Sequence, residues 1–248
     1  MKATTATAAT MDRAASTTYT DRRGQIQNYF DRTAVAAWAT LTSDAPVGRI
    51  RTTVRAGRDA MRAKLLSWLP EDLHGRRILD AGCGTGALAV EAARRGAHVV
   101  AIDLSPTLVN LARERLPKHQ SDLRGTIDFR SGDMLDPALG RFDHVVAMDS
   151  IIHYGVQDAV TALSKLAERT SSSIVFTYAP RTPLLAAMIS VGRLLPRGDR
   201  APWLEPMAKE KILKLMASDF ILQNWQAERT ERVSSGFYKS QALELKKR

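Results

Sequence analysis

Two carboxylates and three glycines between residues 80 and 103 are the groups in this 248-residue chain best suited to binding a ligand. Asp80 ends a short apolar run, and Gly82, Gly84 and Gly86 follow it at alternate positions. Glycines at this spacing permit a tight turn and a close approach of a ligand to the backbone. Asp103 comes about 20 residues later, where nucleotide-binding folds place the acid that binds the ribose hydroxyls. The stretch therefore predicts a strand, a glycine turn, a helix and a second strand, with a nucleotide at the turn.

The charge of Asp80 indicates which nucleotide is bound. Dinucleotide enzymes favour the spacing G-x-G-x-x-G, in which the N-terminus of the helix faces a pyrophosphate. A carboxylate two residues before the first glycine would repel a pyrophosphate but attract an ammonium group. S-adenosylmethionine joins adenosine to a cationic amino acid and fits these charges better. The stretch resembles motif I of the class I methyltransferases, and the alternative, glycines that serve only helix–sheet packing, leaves both carboxylates unexplained.

Polar residues at the ends of two later strands are further candidates. Asp133 follows a predicted strand, and in the class I methyltransferases such an acid commonly meets the adenine amino group while a residue such as Met134 covers the ring. A plain Gly-Asp turn is the alternative. His153 follows a buried apolar strand, and because ligands of open α/β sheets bind beyond the carboxyl ends of the strands, the methyl acceptor is expected there. Two more residues beside strand ends are assigned to the cofactor site, Leu104 and Met148.

Composition limits the classes of function. Hydrophobic residues make up 44% of the chain and charged residues 25%, values typical of a soluble globular protein. The excess of 36 Lys and Arg over 26 Asp and Glu gives a net charge of +10, which indicates an anionic partner: nucleic acid, a membrane surface, an acidic protein or a carboxylate-bearing substrate. The only cysteine, Cys83, lies in the glycine turn, so neither a disulfide framework nor a thiolate metal site is predicted. The sequence has no apolar run of about 18 residues, so no membrane span is predicted.

Local composition divides the chain into three parts. Residues 1–20, rich in Ala and Thr, are predicted to be a disordered tail. Residues 21–70 are predicted to form an N-terminal arm and a helix, and residues 71–248 the S-adenosylmethionine-binding domain. Within that domain, residues 181–203 carry an apolar patch flanked by arginines. This insertion is predicted to be helical and to cover the substrate, or to lie at a membrane interface.

The predicted fold is α/β, a Rossmann-like doubly wound sheet of about seven strands, with the helical arm before it and the helical insertion after strand five. The last two strands are expected over residues 220–230 and 237–245, as antiparallel neighbours.

The arm carries the aromatic residues Tyr29 and Trp38 ahead of the nucleotide fold. A lid over the cofactor and a docked helix with buried aromatic side chains are both compatible with the pattern. The helix that follows is expected to start with Asp44 as N-cap and Pro46 in its first turn, and to end near Leu69.

Four arginines on that helix, at spacings of 4, 3 and 4, form an arginine stripe displaced by about 100° from its apolar ridge. A solvated charged face is the ordinary interpretation, and docking of an anionic partner is the alternative. The stripe consists of Arg51, Arg55, Arg58 and Arg62.

Three longer stretches carry a more specific resemblance. They are N-Y-F-D-R-T-A-V-A-A-W at 28–38 with the arginine-rich segment after it, A-M-D-S-I-I-H-Y at 147–154, and S-S-G-F-Y-K-S-Q-A-L-E at 234–244. Together they resemble the magnesium-protoporphyrin IX O-methyltransferases of bacteriochlorophyll biosynthesis, over nearly the whole chain after residue 20.

This resemblance implies methyl transfer from S-adenosylmethionine to one propionate of magnesium protoporphyrin IX. It implies that the porphyrin-binding subunit of magnesium chelatase hands over the substrate, and that the magnesium belongs to the substrate and not to the protein. His153 and Tyr29 are then expected on the acceptor side and Trp38 over the cofactor; a structural hydrogen bond is the alternative for His153. The chain is expected in the cytoplasm, with peripheral contact to the photosynthetic membrane, and nucleic acid is not expected as a partner.

Other acceptors are tested by their chemistry. Cytosine-C5 methylation needs a thiolate, and Cys83 lies in the cofactor turn; adenine methylation typically uses a Pro-Pro-aromatic step that is missing after the fourth strand. The alternatives left open are a methyltransferase acting on another small carboxylate or hydroxyl substrate, or on RNA, and a non-catalytic S-adenosylmethionine-binding module.

Overall fold

A sheet of seven strands organises the computed structural model, which describes residues 18–33, 40, 42, 46, 48–182 and 204–248. The strands are β1 (Arg77–Ala81), β2 (His98–Asp103), β3 (Thr126–Ser131), β4 (Phe142–Ala147), β5 (Thr170–Tyr178), β6 (Trp225–Ser235) and β7 (Tyr238–Lys247). The helices of these residues are α1 (18–28), α2 (Arg49–Ser67), α3 (Ala87–Arg94), α4 (Pro106–Arg115), α5 (Val156–Ala167) and α6 (Lys209–Ala217). Short helical turns lie at Tyr29–Thr33, Leu116–Asp122, Pro137–Leu139, Ile151–His153 and Leu222–Asn224.

The strand order β3-β2-β1-β4-β5-β7-β6 places the chain's change of direction between β1 and β4. β1 to β5 are parallel, and β7 enters antiparallel between β5 and β6. Side chains that alternate along β1 enter two separate cores. Leu79 packs in the core that contains α5 and α6, and Ile78 in the core that contains α2, α3 and α4. The strand order and the two cores confirm the predicted fold class. A doubly wound sheet binds ligands at such a switch point, beyond the carboxyl ends of the strands.

Helix α2 is shorter than the sequence pattern predicted. It begins at Arg49, with Gly48 as N-cap, because the Gly48 carbonyl accepts the first helical hydrogen bond from the Thr52 N–H. Pro46 lies before the helix and Asp44 lies outside the described residues. The helix ends at Ser67 and not near residue 69, since the chain tightens there and Pro70 cannot continue a helix.

The closing hairpin is shifted towards the C-terminus relative to the prediction. The Asp219 carboxylate accepts hydrogen bonds from the N–H groups of Ile221 and Leu222, which holds residues 220–224 in a turn and leaves the Phe220 side chain 81% exposed. Gly236, with φ 53°, makes the tight turn between β6 and β7. The strands therefore start later than the hydrophobic pattern suggests.

The described residues cover only part of the predicted N-terminal tail and of the predicted insertion. Residues 18–20, which belong to the predicted tail, are helical and start α1, while residues 1–17 lie outside the described ranges. Of the insertion at 181–203, only residues 181 and 182 are described. Among the helices that the structure describes, none has the length and apolar character needed to cross a bilayer.

Candidate active site

The glycine turn after β1 has the tight geometry that its spacing predicts. Gly82, Gly84 and Gly86 have φ values of 90°, 53° and 81°, in the left-handed region that favours glycine. A Cβ atom on Gly82 would come within 2.4 Å of the Ser150 Cβ, so the turn also requires a residue without a side chain. The Gly82 N–H donates to the Ile102 carbonyl at 2.8 Å, which ties the turn to β2.

Asp103, at the end of β2, is held by backbone donors. Its Oδ2 accepts the Gly84 N–H at 2.8 Å, and its Oδ1 accepts the Ser105 N–H at 2.9 Å. Burial raises the pKa of the Asp103 carboxyl, and these hydrogen bonds oppose that rise. The carboxylate is therefore fixed beside the turn, where an acid that binds ribose hydroxyls is expected.

Asp80 is a buried carboxyl group with an unsatisfied oxygen. It is 1% exposed, and its Oδ2 has no hydrogen-bond partner among the described residues. Burial, and then the charge of Asp103, raises the pKa of Asp80 to about 7. A buried acceptor without a donor is unfavourable, and a ligand ammonium group would supply both the donor and the charge. Asp80 thus fits the amino-acid end of S-adenosylmethionine.

A cavity of about 280 Å³ joins these groups to the loop after β4. It brings together most of the predicted site residues: Asp80, Gly82, Gly84, Asp103, Leu104, Asp133, Met134, Met148 and His153. Gly86 lies at the start of α3 and Tyr29 on the arm, and neither lines this cavity. Trp38 lies outside the described residues.

Asp133, the predicted adenine contact, is bound by helix α1. The Tyr19 hydroxyl donates to its Oδ1 at 2.8 Å, and the Arg23 guanidinium pairs with its Oδ2 at 2.5 Å. Burial raises the pKa of the Tyr19 hydroxyl well above its usual range, so this group stays protonated and donates. The sequence patterns gave no indication of these two partners of Asp133.

Helix α1 also reaches the acceptor side of the cavity. The Tyr19 ring stacks on the Tyr154 ring, with centroids 4.8 Å apart, and Arg22 forms an ion pair with Glu205 at 2.9 Å. The side chains of Tyr19 and Ile26 line the cavity. The sequence left a lid and a docked helix open for the arm; in the described part α1 is docked, with Ile26 buried and the Tyr19 ring stacked on Tyr154.

His153 is buried at the end of the short turn Ile151–His153 and lines the cavity. Its ring meets the edge of the Phe30 ring, with centroids 6.1 Å apart. Phe30, on the arm turn Tyr29–Thr33, lines the cavity, while Tyr29 packs edge-on against Phe30 at 5.2 Å. Of the neighbouring aromatic residues Tyr29 and Phe30, it is therefore Phe30 whose side chain lies beside His153 at the cavity.

Asp149 is the centre of a group of residues that the sequence patterns did not bring together. It is a non-glycine residue with φ 54°, and its Oδ2 pairs with the Arg58 guanidinium at 2.7 Å. The Tyr238 hydroxyl donates to its Oδ1 at 3.0 Å, and the Thr177 hydroxyl does so at 3.2 Å. An acid after the fourth strand and a Tyr in the closing hairpin were visible in the sequence, but nothing local linked them to Arg58.

The expectation that the arginine stripe of α2 is a solvated face is wrong for Arg58. In the Arg58–Asp149 pair the side chains are 19% and 7% exposed. Arg55 donates to the Thr40 carbonyl at 2.8 Å, and Arg62 pairs with Asp59 at 2.8 Å. Arg55, Arg58 and Arg62 all line the cavity, whereas Arg51 is exposed and does not. The described residues contain no cluster of three or more His, Cys, Asp or Glu side chains that could hold a metal ion.

Comparison with known proteins identifies the family. A family model for the C-terminus of magnesium-protoporphyrin IX methyltransferase matches residues 147–247, and a methyltransferase domain model matches residues 78–172. A magnesium-protoporphyrin O-methyltransferase from Rhodobacter capsulatus is 50% identical over 229 residues, which are 92% of this chain and 98% of the relative. A ubiquinone biosynthesis O-methyltransferase from Xanthomonas oryzae is 32% identical over 69% of this chain and 71% of its own.

The similarity extends to three-dimensional structure. The crystal structure of magnesium protoporphyrin IX methyltransferase from Synechocystis PCC 6803 with bound SAH superposes with a TM-score of 0.76 at 25% identity, covering 91% of this chain and 99% of that one. Since half of the aligned residues are identical along nearly the whole Rhodobacter relative, the chain belongs to the magnesium-protoporphyrin O-methyltransferase family of class I S-adenosylmethionine-dependent methyltransferases.

Proposed function

We propose that this protein methylates one propionate carboxylate of magnesium protoporphyrin IX and produces its monomethyl ester. The observation that carries the proposal is a cavity that joins the glycine turn to the loop after β4, where the acceptor is expected. The chain that forms this cavity is 50% identical to a magnesium-protoporphyrin O-methyltransferase. When bound, S-adenosylmethionine supplies a methyl group on a positively charged sulfur, which a carboxylate oxygen displaces.

The chain's own residues divide the binding of the cofactor among them. Asp80 receives the ammonium group through its unsatisfied Oδ2, and Asp103 the ribose hydroxyls. Met134 and Leu104 pack beside the adenine ring, and Asp133 accepts its amino group once the arm contacts to Tyr19 and Arg23 have been exchanged. Met148 and Trp38 are proposed as further cofactor contacts.

The acceptor side orients its substrate and excludes water from it. A propionate is ionised at neutral pH, so the reaction needs no strong base. The transfer neutralises the negative charge of the carboxylate and the positive charge of the sulfonium together. A closed, poorly solvated site favours such a reaction. Tyr19 on α1 and Phe30 on the turn Tyr29–Thr33 shield this site from water, and His153 lies where it can orient the propionate. Tyr29, next to Phe30, is a second candidate acceptor contact. An unchanged kcat in a Tyr29→Phe variant would exclude a role for the Tyr29 hydroxyl.

The size of the cavity determines how much of the substrate enters. At about 280 Å³ it lies just below the range of roughly 300–1,000 Å³ that is usual for small-molecule sites, and it must also hold S-adenosylmethionine. We therefore place the reacting propionate inside and the macrocycle at the mouth.

Delivery of the porphyrin and the place of work belong to the same proposal. The substrate is handed over by the porphyrin-binding subunit of magnesium chelatase, in the cytoplasm or at the periphery of the photosynthetic membrane. Exposed Phe237 supports such a contact, since it lies in the β6–β7 turn beside Tyr238, whose hydroxyl reaches the Asp149 carboxylate at the cavity. Flotation with anionic vesicles, and co-purification with the chelatase subunit, should both weaken in a Phe237→Ser variant.

The direct test is to incubate the protein with S-adenosylmethionine and magnesium protoporphyrin IX and to detect the monomethyl ester by mass. Metal-free protoporphyrin and a small phenolic substrate serve as controls for specificity. Cofactor binding without any ester would contradict the proposal in favour of a non-catalytic module. Methylated RNA, with binding that falls steeply as salt rises, would contradict it in favour of an RNA methyltransferase.

A further inference from the structure

The loop after β4 holds Asp149 in a backbone conformation that side-chain-bearing residues seldom adopt. Its φ of 54° lies in the left-handed region, and such residues persist where the surrounding contacts over-determine them. Here the Asp149 N–H donates to the Thr177 hydroxyl at 2.8 Å, while the carboxylate faces α2. The strained backbone therefore serves to aim this carboxylate.

Both oxygens of Asp149 are engaged, so it does not act as a base on a substrate. Oδ2 accepts from Arg58, and Oδ1 accepts from Tyr238 and Thr177; Tyr238 also reaches Oδ2, at 3.1 Å. The donors come from three separate elements, α2, β5 and β7, that meet at this point. α2 can approach because Gly57, beside Arg58, lies against the Tyr238 ring. Asp149 thus acts through the residue it holds, which is Arg58.

The charges around the cavity indicate that Arg58 binds an anionic group of a ligand. Acidic side chains line the cavity at Asp59, Asp80, Asp103, Asp133 and Asp149, and an anionic ligand group would be repelled by them. Among the described lining residues, the lysine or arginine side chains are the three arginines of α2. Arg62 pairs with an Asp59 side chain that is 51% exposed, whereas Arg58 is paired in a buried position.

We infer that Arg58 binds and orients a ligand carboxylate in this cavity. Asp149 positions Arg58 and limits how strongly Arg58 binds that carboxylate. The inference rests on the proposed function, in which both ligands carry a carboxylate: the propionate of the acceptor and the amino-acid end of S-adenosylmethionine. Arginine suits this task because its planar donors match a carboxylate and it stays charged.

The pairing with Asp149 has a consequence for rate. Attack by a carboxylate removes its charge, so a cation that binds it strongly stabilises the substrate more than the transition state. An arginine whose charge Asp149 already balances can orient the carboxylate without holding it too tightly. Neutralising Asp149 should therefore lower both KM and kcat for the acceptor, whereas neutralising Arg58 should raise KM.

The experiment compares Arg58→Gln, Arg58→Lys and Asp149→Asn with the exposed control Arg51→Gln on the same helix. Asparagine is chosen because it tolerates a positive φ. Cofactor Kd is measured by calorimetry, and KM and kcat are measured with free magnesium protoporphyrin. If the acceptor carboxylate is bound, Arg58→Gln raises its KM about 10- to 100-fold, the range expected for a charge-assisted hydrogen bond, with cofactor Kd unchanged. Arg58→Lys should recover part of that loss.

If the amino-acid carboxylate is bound instead, Arg58→Gln raises the Kd of S-adenosylmethionine by a similar factor. Decarboxylated S-adenosylmethionine would then bind the wild type and the variant equally. Either result supports the inference and names the carboxylate. KM and Kd values for Arg58→Gln within twofold of those for Arg51→Gln would overturn it.

A double variant separates positioning from folding. Removing one partner of a buried pair is destabilising, whereas removing both restores neutrality. Arg58→Gln combined with Asp149→Asn should recover the thermal unfolding temperature but keep the raised KM or Kd. Recovery of wild-type kinetics in the double variant would mean that the pair is only structural. An inactive wild type would contradict the proposed function, and the Kd values of S-adenosylmethionine and of magnesium protoporphyrin, both measured by calorimetry, would still decide whether Arg58 binds a ligand carboxylate.

Discussion

Replacing Asp80 by Asn should stabilise the ligand-free protein and weaken its binding of the cofactor. The pKa of this carboxyl rises from 3.8 in a free chain to about 7 in the fold, chiefly through burial. A rise of about three pH units, at about 1.4 kcal/mol per unit, corresponds to about 4 kcal/mol. Between these two pKa values the native state holds its proton while the unfolded chain has lost it. The free energy of unfolding therefore falls as pH rises through this window, and stays low above it.

Asparagine removes this penalty but leaves a buried amide group without a partner, which costs about 1–3 kcal/mol. We therefore expect Asp80→Asn to be more stable than the wild type by about 1–3 kcal/mol at pH 8, and to lose that advantage at pH 4.5. Urea unfolding of the ligand-free proteins at both pH values measures this difference. The exposed Asp128, changed to Asn, is the matched control.

Saturating S-adenosylmethionine should largely cancel the variant's advantage in stability, because the ammonium group stabilises the ionised Asp80 of the wild type alone. The affinity of the variant should fall by about 10- to 100-fold, in line with a lost charge-assisted hydrogen bond. If the ligand-free wild type were the more stable protein at pH 8, with a gap that did not change with pH, the reasoning from the buried carboxyl would be refuted.

Three further variants test other parts of the site. Asp103→Ala should weaken cofactor binding about 100-fold in a folded protein, since it removes the carboxylate held by two backbone donors; unchanged affinity by calorimetry would contradict the ribose assignment. His153→Ala should lower kcat about tenfold if His153 orients the acceptor, and about 10²–10⁴-fold if it transfers a proton. Gly57→Ala should destabilise the protein by about 1–3 kcal/mol in urea unfolding, because the added Cβ would lie 2.6 Å from the Tyr238 ring; a gain in stability, as helix propensity alone predicts, would show that the ring can move.

The cofactor half of the site could be predicted because its signals are local. Asp80, the glycine turn and Asp103 lie within one strand–turn–helix–strand unit, and the parallel sheet brings the ends of its strands to the same edge. The same rule placed Asp133 and His153 at that edge. None of these inferences needed to know which distant segments pack together.

The group formed by Arg58, Asp149 and Tyr238 could not be predicted because it depends on packing between distant segments. Helical periodicity placed Arg58 on a stripe beside the apolar ridge, but did not say which flank of the ridge would face the sheet. The packing of Gly57 against Tyr238, from the closing hairpin, settles that choice. The strand bounds of the hairpin were missed for a similar reason, since the Asp219 side chain holds an apolar segment in a turn.

The position of β7 between β5 and β6 has a consequence for how the protein is made. Tyr238 follows Asp149 by 89 residues, so at about 5–20 residues per second it leaves the ribosome roughly 5–20 s later. In the later part of that interval, once Tyr178 at the end of β5 has been synthesised, β5 presents an unpaired edge, a site for wrong pairing. The glycine turn and Asp103 are already complete by then. On the ribosome, the cofactor-binding half of the active site therefore matures before the half that receives the acceptor.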